Sequence, residues 1–438
     1  MPSTLRTFFP TLVSAVESGA TALRDLSGLG SRALRHFGAD EDLAELKKLP
    51  PVVAVRLDAL LCQSFEVAEK ATRSTASDML LSPGEVPYLR VDGVVKRQPQ
   101  MEAWPVDFGD NEVLAWLRLL ARTTKYSDME YEWGGWRFRM QAQIQYRKGA
   151  PALAMSVRRL PNEIPEGHRL PKQFIEAIRC PQGLIIVSGP TGSGKSTTLA
   201  SVVRSHLPAG GDNTDGLNVL LYEDPIEYRH TSGVHLIQQF ELGPDFTNFG
   251  DALGKSALRK DPDIIIPGEL REPAAVQAAL DASDTGHLVI STMHLSTAAT
   301  VVGRINSLAG IEYADKLSKN LSVVLCQSLV RLKGGGRVAA FEQLFIMPGD
   351  RSSLAKGTEV AQPALESRVR SDGFAQGSFS MEHSLAVLVA LGRVSEEEAA
   401  SAAVRPNDWR QNRRQLLEQA KNCTAELFKL YAAPNSSR

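Results

Sequence analysis

The chain has 438 residues, room for two or three domains with cores of their own, and its 43% hydrophobic and 23% charged content is that of a soluble globular protein. With 49 Lys and Arg against 50 Asp and Glu the net charge is -1, which argues against a nucleic-acid partner held by bulk charge. The four cysteines (Cys62, Cys180, Cys326 and Cys423) form no C-x-x-C pair and have no histidine at metal spacing, a pattern that excludes a zinc module and fits reduced thiols in a cytosolic compartment.

Residues 1–50, rich in Ala, Ser, Gly and Leu, read as an N-terminal extension, and residues 51–165 as a small α+β module. Within that module Leu57–Ala71 is predicted as a helix and Tyr88–Val91 as a strand running into a turn at Asp92-Gly93. Asp110 caps a predicted helix whose apolar face is Val113, Trp116, Leu117 and Leu120. Gly134-Gly135 is a turn signal, and the strand after it alternates. Trp136, Phe138, Met140, Ala142, Ile144 and Tyr146 share one face, and Arg137, Arg139, Gln141, Gln143, Gln145 and Arg147 the other. A second strand ends near Arg158-Arg159, and the proline-bearing run Pro161–Pro171 reads as a linker.

In residues 170–365 short β-branched runs (Leu184–Ser188, Val219–Tyr222, Ile264–Ile266, Leu288–Thr292) alternate with helical stretches. Nearly continuous apolar strands separated by helices predict a parallel sheet covered on both faces, so the fold class is α/β. Residues 366–438 read as a helical C-terminal region, with Ser395 and Glu398 as a capping pair and a charged final helix over Asp408–Tyr431. No apolar run reaches the roughly 20 residues that span a bilayer, and the broken run before Val16 does not read as a secretory signal.

The first predicted strand of the sheet runs straight into Gly189-Pro190-Thr191-Gly192-Ser193-Gly194-Lys195-Ser196-Thr197 and then into a helix. This is the phosphate-loop pattern in its strand–loop–helix setting. Its glycines let backbone N–H groups turn toward phosphate at a helix N-terminus. Lys195 reaches the β/γ-phosphates and the Ser196 hydroxyl completes a Mg²⁺ shell. Parallel sheets bind ligands at the carboxyl ends of their strands, and the other strands end in Glu223-Asp224-Pro225-Ile226-Glu227, Glu269 and His294. Those are the group types that polarise a water, hold Mg²⁺ through its waters and sense a γ-phosphate. No N-K-x-D guanine signature occurs, which favours ATP. His287 lies seven positions before His294, at the opposite end of its strand, and Asp263 precedes its strand as a turn or capping residue.

These motifs resemble the secretion and type IV pilus ATPase superfamily, nearest its pilus-retraction (PilT-type) branch, from about Ala76 to Ala400. Gly189–Thr198 resembles the Walker A box, Tyr222–Tyr228 the aspartate box, Asp261–Glu272 the Walker B box and Thr285–Ala298 the histidine box. Ala76-Ser77-Asp78, Arg90-Val91-Asp92-Gly93, Arg137-Phe138-Arg139 and Arg158 follow the family's order in the N-terminal module. The resemblance implies a PAS-like domain joined to a RecA-like ATPase domain, a homohexameric ring and nucleotide bound between subunits. It implies Glu269 as catalytic glutamate, Glu223, Asp224 and Glu227 as acids organising Mg²⁺ and water, and roles for both His287 and His294. Arg139 and Arg158 are implied to reach a neighbour's nucleotide. The cofactors implied are ATP and Mg²⁺, and the partner an inner-membrane platform protein, with the ATPase on the cytoplasmic side. The chain departs from the family at Pro267, where valine is usual, and at Glu272, where aspartate is usual. The acidic-helix motif of retraction motors is not recognisable in Pro348–Gly357. The same boxes would suit a conjugative-transfer or type IVB secretion ATPase, and Pro267 suits a weakly hydrolysing ATP-binding ring.

Overall fold

The computed structural model describes residues 65, 76–98, 128–133, 136–147, 150–161, 163–164, 169–208, 215–371, 377–421 and 426–432. The extension 1–50, the helix expected after Asp110 and the turn at Gly134-Gly135 lie outside these residues, as does the helix over 57–71 apart from Phe65. The chain forms two compact units, residues 1–162 and 163–438.

The first unit is an antiparallel sheet in the order β3-β2-β1-β6-β5-β4. Its strands are β1 (Ala76–Leu81), β2 (Tyr88–Val91), β3 (Val94–Arg97), β4 (Asp128–Trp133), β5 (Trp136–Arg147) and β6 (Ala150–Leu160). The turn between β2 and β3 has positive φ at both Asp92 (49°) and Gly93 (81°), the twist that a tight hairpin needs. Alternation then sorts the two faces. Leu89, Met79, Val157 and Met140 sit opposite one another in one buried row. The next row along holds Arg90, Asp78, Arg158, Arg139 and Glu130. Arg137 departs from the alternation expected of its polar face, being only 6% exposed.

The second unit is built on a seven-stranded sheet in the order β13-β12-β7-β11-β10-β8-β9, parallel except for the β12–β13 pair. The four predicted strands are β7 (Gly183–Ser188), β8 (Asn218–Glu223), β10 (Ile264–Pro267) and β11 (Leu288–Met293). They form the middle of the sheet. Sequence reading did not single out β9 (Leu236–Glu241), β12 (Leu321–Arg331) or β13 (Arg337–Phe345). In β9 and β12 glutamines interrupt the apolar run, and β9 and β13 are the sheet edges.

Alternation again divides the side chains, here between two cores. Ile185, Val187, Val219, Leu221 and Ile290 face one side, and Leu184, Ile186, Leu220, Tyr222 and Val289 the other. The first side is closed by α1 (Lys172–Ile178) and α2 (Lys195–Ser205). The second is closed by α3 (Pro273–Asp284), α4 (Ala298–Ala309), α5 (Ala314–Asn320), α6 (Pro348–Ala355) and α7 (Thr358–Ser371). The C-terminal helices α8 (Met381–Ala390), α9 (Glu396–Ala402), α10 (Pro406–Lys421) and α11 (Glu426–Ala432) complete the first side, with Trp409 and Tyr431 inside the same core as the P-loop helix α2. Each face of the sheet therefore buries a continuous apolar layer, as a doubly covered parallel sheet requires. Ser395 caps α9 by accepting from the Glu398 N–H at 3.1 Å.

Candidate active site

The phosphate loop lies between β7 and α2, where the strand's carboxyl end meets the helix N-terminus. Gly189 (φ 147°) passes so close to β12 that a Cβ there would stand 2.3 Å from the Gln327 carbonyl oxygen. Gly194 opens α2 from the left-handed region (φ 91°), a conformation that side-chain-bearing residues rarely adopt. Gln327, which sequence reading missed, fixes the loop from beneath. It is 1% exposed, donates from Nε2 to the Ser193 carbonyl at 2.7 Å and accepts at Oε1 from Thr198 Oγ1 at 2.8 Å. Gln327→Leu removes both of those buried hydrogen bonds. It is expected to cost about 1–3 kcal/mol, read as a lowered thermal midpoint of the nucleotide-free chain.

Lys195 is 8% exposed, and its ammonium donates to the Gly189 and Pro190 carbonyls at 2.9 and 3.1 Å. Burial lowers its pKa, and the charges of Glu269 and Glu227 oppose that shift, so both carboxylates lie within electrostatic reach of the loop. Ser196 is exposed at the first turn of α2. Thr197 exchanges a 2.8 Å hydrogen bond with the Tyr228 hydroxyl and so anchors the segment after β8 to the loop helix.

Glu269 follows β10 on a backbone held on both sides. The Gly268 N–H donates to the Tyr222 carbonyl at 2.6 Å, and Leu270 N–H to the Thr292 carbonyl at 3.0 Å. Its carboxylate pairs with Arg271 at 2.6 Å and lies 3.1 Å from His294 Nε2. The hydrogen bond to Glu269 is the chief cause raising the Arg271 pKa, with the charges of Glu269 and Asp224 adding to it. Arg271 was missed by sequence reading, though its place two residues after Glu269 was a usable signal. His294 Nδ1 is 3.4 Å from both Lys195 Nζ and Thr191 Oγ1. The Nε2–H tautomer satisfies all of these contacts, accepting from the loop side and donating to Glu269.

Glu223 ends β8, and its Oε2 accepts from Gln239 Nε2 at 2.8 Å. The same amide donates to the Tyr228 carbonyl at 2.8 Å, so the edge strand β9 supplies the support for the acidic segment. Asp224 is exposed and Glu227 half-buried on that segment. Asp263 accepts from the Asn218 N–H at 2.7 Å before β10 begins, the turn-side role expected of it. Pro267 is the last residue of β10, beyond the Ile265–Val289 pairing with β11, and its carbonyl takes a 2.7 Å bond from Ser291 Oγ. On its other side Pro267 stays in register with Tyr222 of β8.

The structure thus brings Thr191, Lys195, Glu269 and His294 together, with Glu227 within the field of Lys195 and Asp224 within that of Arg271. It does not bring His287 there. That residue precedes β11, with Nδ1 3.1 Å from the Ala282 carbonyl and 3.3 Å from Thr285 Oγ1. Arg139 and Arg158 belong to the first unit, where Arg158 Nε donates to Asp78 Oδ1 at 2.9 Å.

A phosphate loop, a strand-end glutamate and a histidine on one edge of a parallel sheet define a P-loop ATPase. The family model for type II/IV secretion system proteins matches residues 163–426. The chain is 36% identical to the type IV pilus retraction ATPase PilT of Pseudomonas aeruginosa over 358 residues, 78% of this chain and 99% of that protein. Among solved structures, the pilus retraction motor PilT with bound ADP superposes with a TM-score of 0.61 at 31% identity, covering 79% of this chain and 98% of that one. The Legionella pneumophila ATPase DotB gives 0.66 at 25%, covering 78% and 94%. The chain belongs to the type II/IV secretion system protein family and is one of its nucleotide-using ATPases.

Proposed function

We propose that this ATPase is a homohexameric motor that spends ATP with Mg²⁺ to retract a type IV pilus. It would act at the cytoplasmic side of a bacterial inner membrane through a platform protein. The observation that supports it most is the convergence of Lys195, Glu269 and His294 in a chain that aligns, at 36% identity, over 99% of the length of a pilus retraction ATPase. Among the described residues no helix is long and apolar enough to cross a membrane.

Lys195 neutralises the β/γ-phosphates from the loop. Glu269 receives the proton of the attacking water while Arg271 and His294 hold its carboxylate in place. His294 faces the phosphate side beside Thr191 and Lys195 and links it to Glu269 through the Nε2–H donation. The Ser196 hydroxyl, exposed at the first turn of α2, and Asp224, exposed on the segment after β8, fit a Mg²⁺ that keeps most of its waters and takes one or two protein groups. When bound, that ion supplies charge to the transferring phosphoryl group. Glu223 and Glu227 order the surrounding water. His287 is assigned to assembly of the ring. A related secretion machine is the second reading, favoured by the likeness to ATPase DotB.

Lys195→Ala removes a charge-assisted contact, so mant-ADP affinity is expected to fall at least about tenfold. In the parent bacterium the same allele should leave surface pili in place and abolish twitching. Normal twitching with loss of a secreted protein would select the second reading, and parental affinity would reject Lys195 as a phosphate ligand.

A further inference from the structure

Beneath the loop that carries His294 lies a buried polar row with no part in the chemistry above. Strand register sets Ser188 of β7 opposite Cys326 of β12, and Cys326 opposite Glu342 of β13. All three are fully buried. Ser188 Oγ accepts from the Leu295 N–H at 3.0 Å and lies 2.8 and 3.1 Å from the Leu295 and Met293 carbonyls. At the other end of the row, Glu342 Oε1 accepts from the Ala298 N–H, the first residue of α4, at 2.8 Å. His294 therefore rides on a short bridge fastened at one end by Ser188 and at the other by Glu342.

A buried carboxylate is costly unless its charge is met. Here Arg405 Nη1 donates to Glu342 Oε2 at 2.6 Å, and the Met381 N–H to the same oxygen at 3.4 Å. The positive ends of α4 and α8 both point at this carboxylate. Arg405 immediately precedes α10, its side chain is 9% exposed, and it also meets Glu382 at 3.3 Å and Glu366 at 3.7 Å. One carboxylate thus joins the start of the helix behind His294 to the C-terminal helices.

We propose that Glu342 and Arg405 are positioning residues for His294. Through the Ala298 N–H they set where residues 294–297 present the imidazole to the phosphate site. The seating of α8 and α10 thereby governs turnover. The inference rests on the role given to His294 above. Misplacing a catalytic group by about 1 Å can cost about 10²-fold in rate, so a modest loosening of this clasp has a measurable effect.

The test is a double-mutant cycle in the full-length chain, using Glu342→Gln and Arg405→Lys, each alone and combined with His294→Ala. Both substitutions keep volume and some hydrogen bonding, and thermal melting identifies the folded variants. If Glu342→Gln does not fold, Arg405→Lys, which keeps the buried cation, carries the cycle. Expected in the parent background is a fall in kcat of about tenfold with the mant-ADP Kd within about twofold. In the His294→Ala background the same substitutions should change kcat by less than about twofold. Equal falls in both backgrounds, or parental kcat in the folded variants, would show a clasp that only stabilises and overturn the inference alone. Parental kcat in His294→Ala by itself would instead refute the site assignment, and this inference with it.

Discussion

Glu269→Gln is expected to bind ATP as the parent chain does and to lose at least about 10²-fold in kcat, the contribution of a positioned general base. The substitution keeps size and shape, so Arg271 still has an oxygen to grip at the place where the carboxylate now lies 2.6 Å away. What disappears is the ability to take a proton. The backbone on either side is fixed by the Tyr222 and Thr292 carbonyls, and Thr292 Oγ1 donates to the Gly268 carbonyl at 2.6 Å, so no rearrangement should accompany the change. Steady-state phosphate release together with mant-ATP binding separates the two effects. A variant turning over near the parental rate would move the base elsewhere, and a parallel loss of binding would mark Glu269 as a nucleotide contact.

Arg139→Ala or Arg158→Ala should cost about 10³-fold or more in kcat if these side chains act as arginine fingers. The motive is their register. Arg139 stands directly opposite Arg158, and like charges so placed destabilise a sheet. Asp78, opposite Arg158 and bonded to it at 2.9 Å, offsets part of that repulsion, while Arg90 adds a further cation to the row 3.8 Å from the same carboxylate. With Glu130 in register opposite Arg139, the row sets three arginines against two acids and carries net positive charge, which suits an anion. Fingers supplied from a neighbouring subunit make turnover per chain rise with protein concentration as the ring assembles. They also allow complementation, because an arginine variant mixed with Glu269→Gln creates some interfaces with one intact finger and one intact base. Mixed rings that form yet stay inactive would refute action across the interface.

The sequence alone determined the parts whose information is local. The phosphate loop is contiguous, and its strand, glycines and helix follow one another without a long-range contact, so Gly189–Thr197 could be assigned from spacing. Strand-end acids were legible for the same reason, since a parallel sheet sends the residue after each buried apolar run to the same edge. The hairpin turn at Asp92-Gly93 and the alternation in β5 are likewise near-neighbour effects. Only the tertiary structure decided how the site is supported. Gln327 under the loop, Gln239 beside Glu223 and Glu342 behind His294 all lie on β9, β12 or β13, and each makes its contact through strand order and register. A one-residue slip in register would turn each of them to the opposite face, and nothing in the local sequence fixes that choice. Arg271 needed the fold as well, because only the pairing of β8 and β11 with β10 sets its guanidinium beside Glu269 and within the field of Asp224. The C-terminal helices likewise read as an appended helical region until Trp409 and Tyr431 are seen in the core that holds α2, because burial depends on what packs from far along the chain.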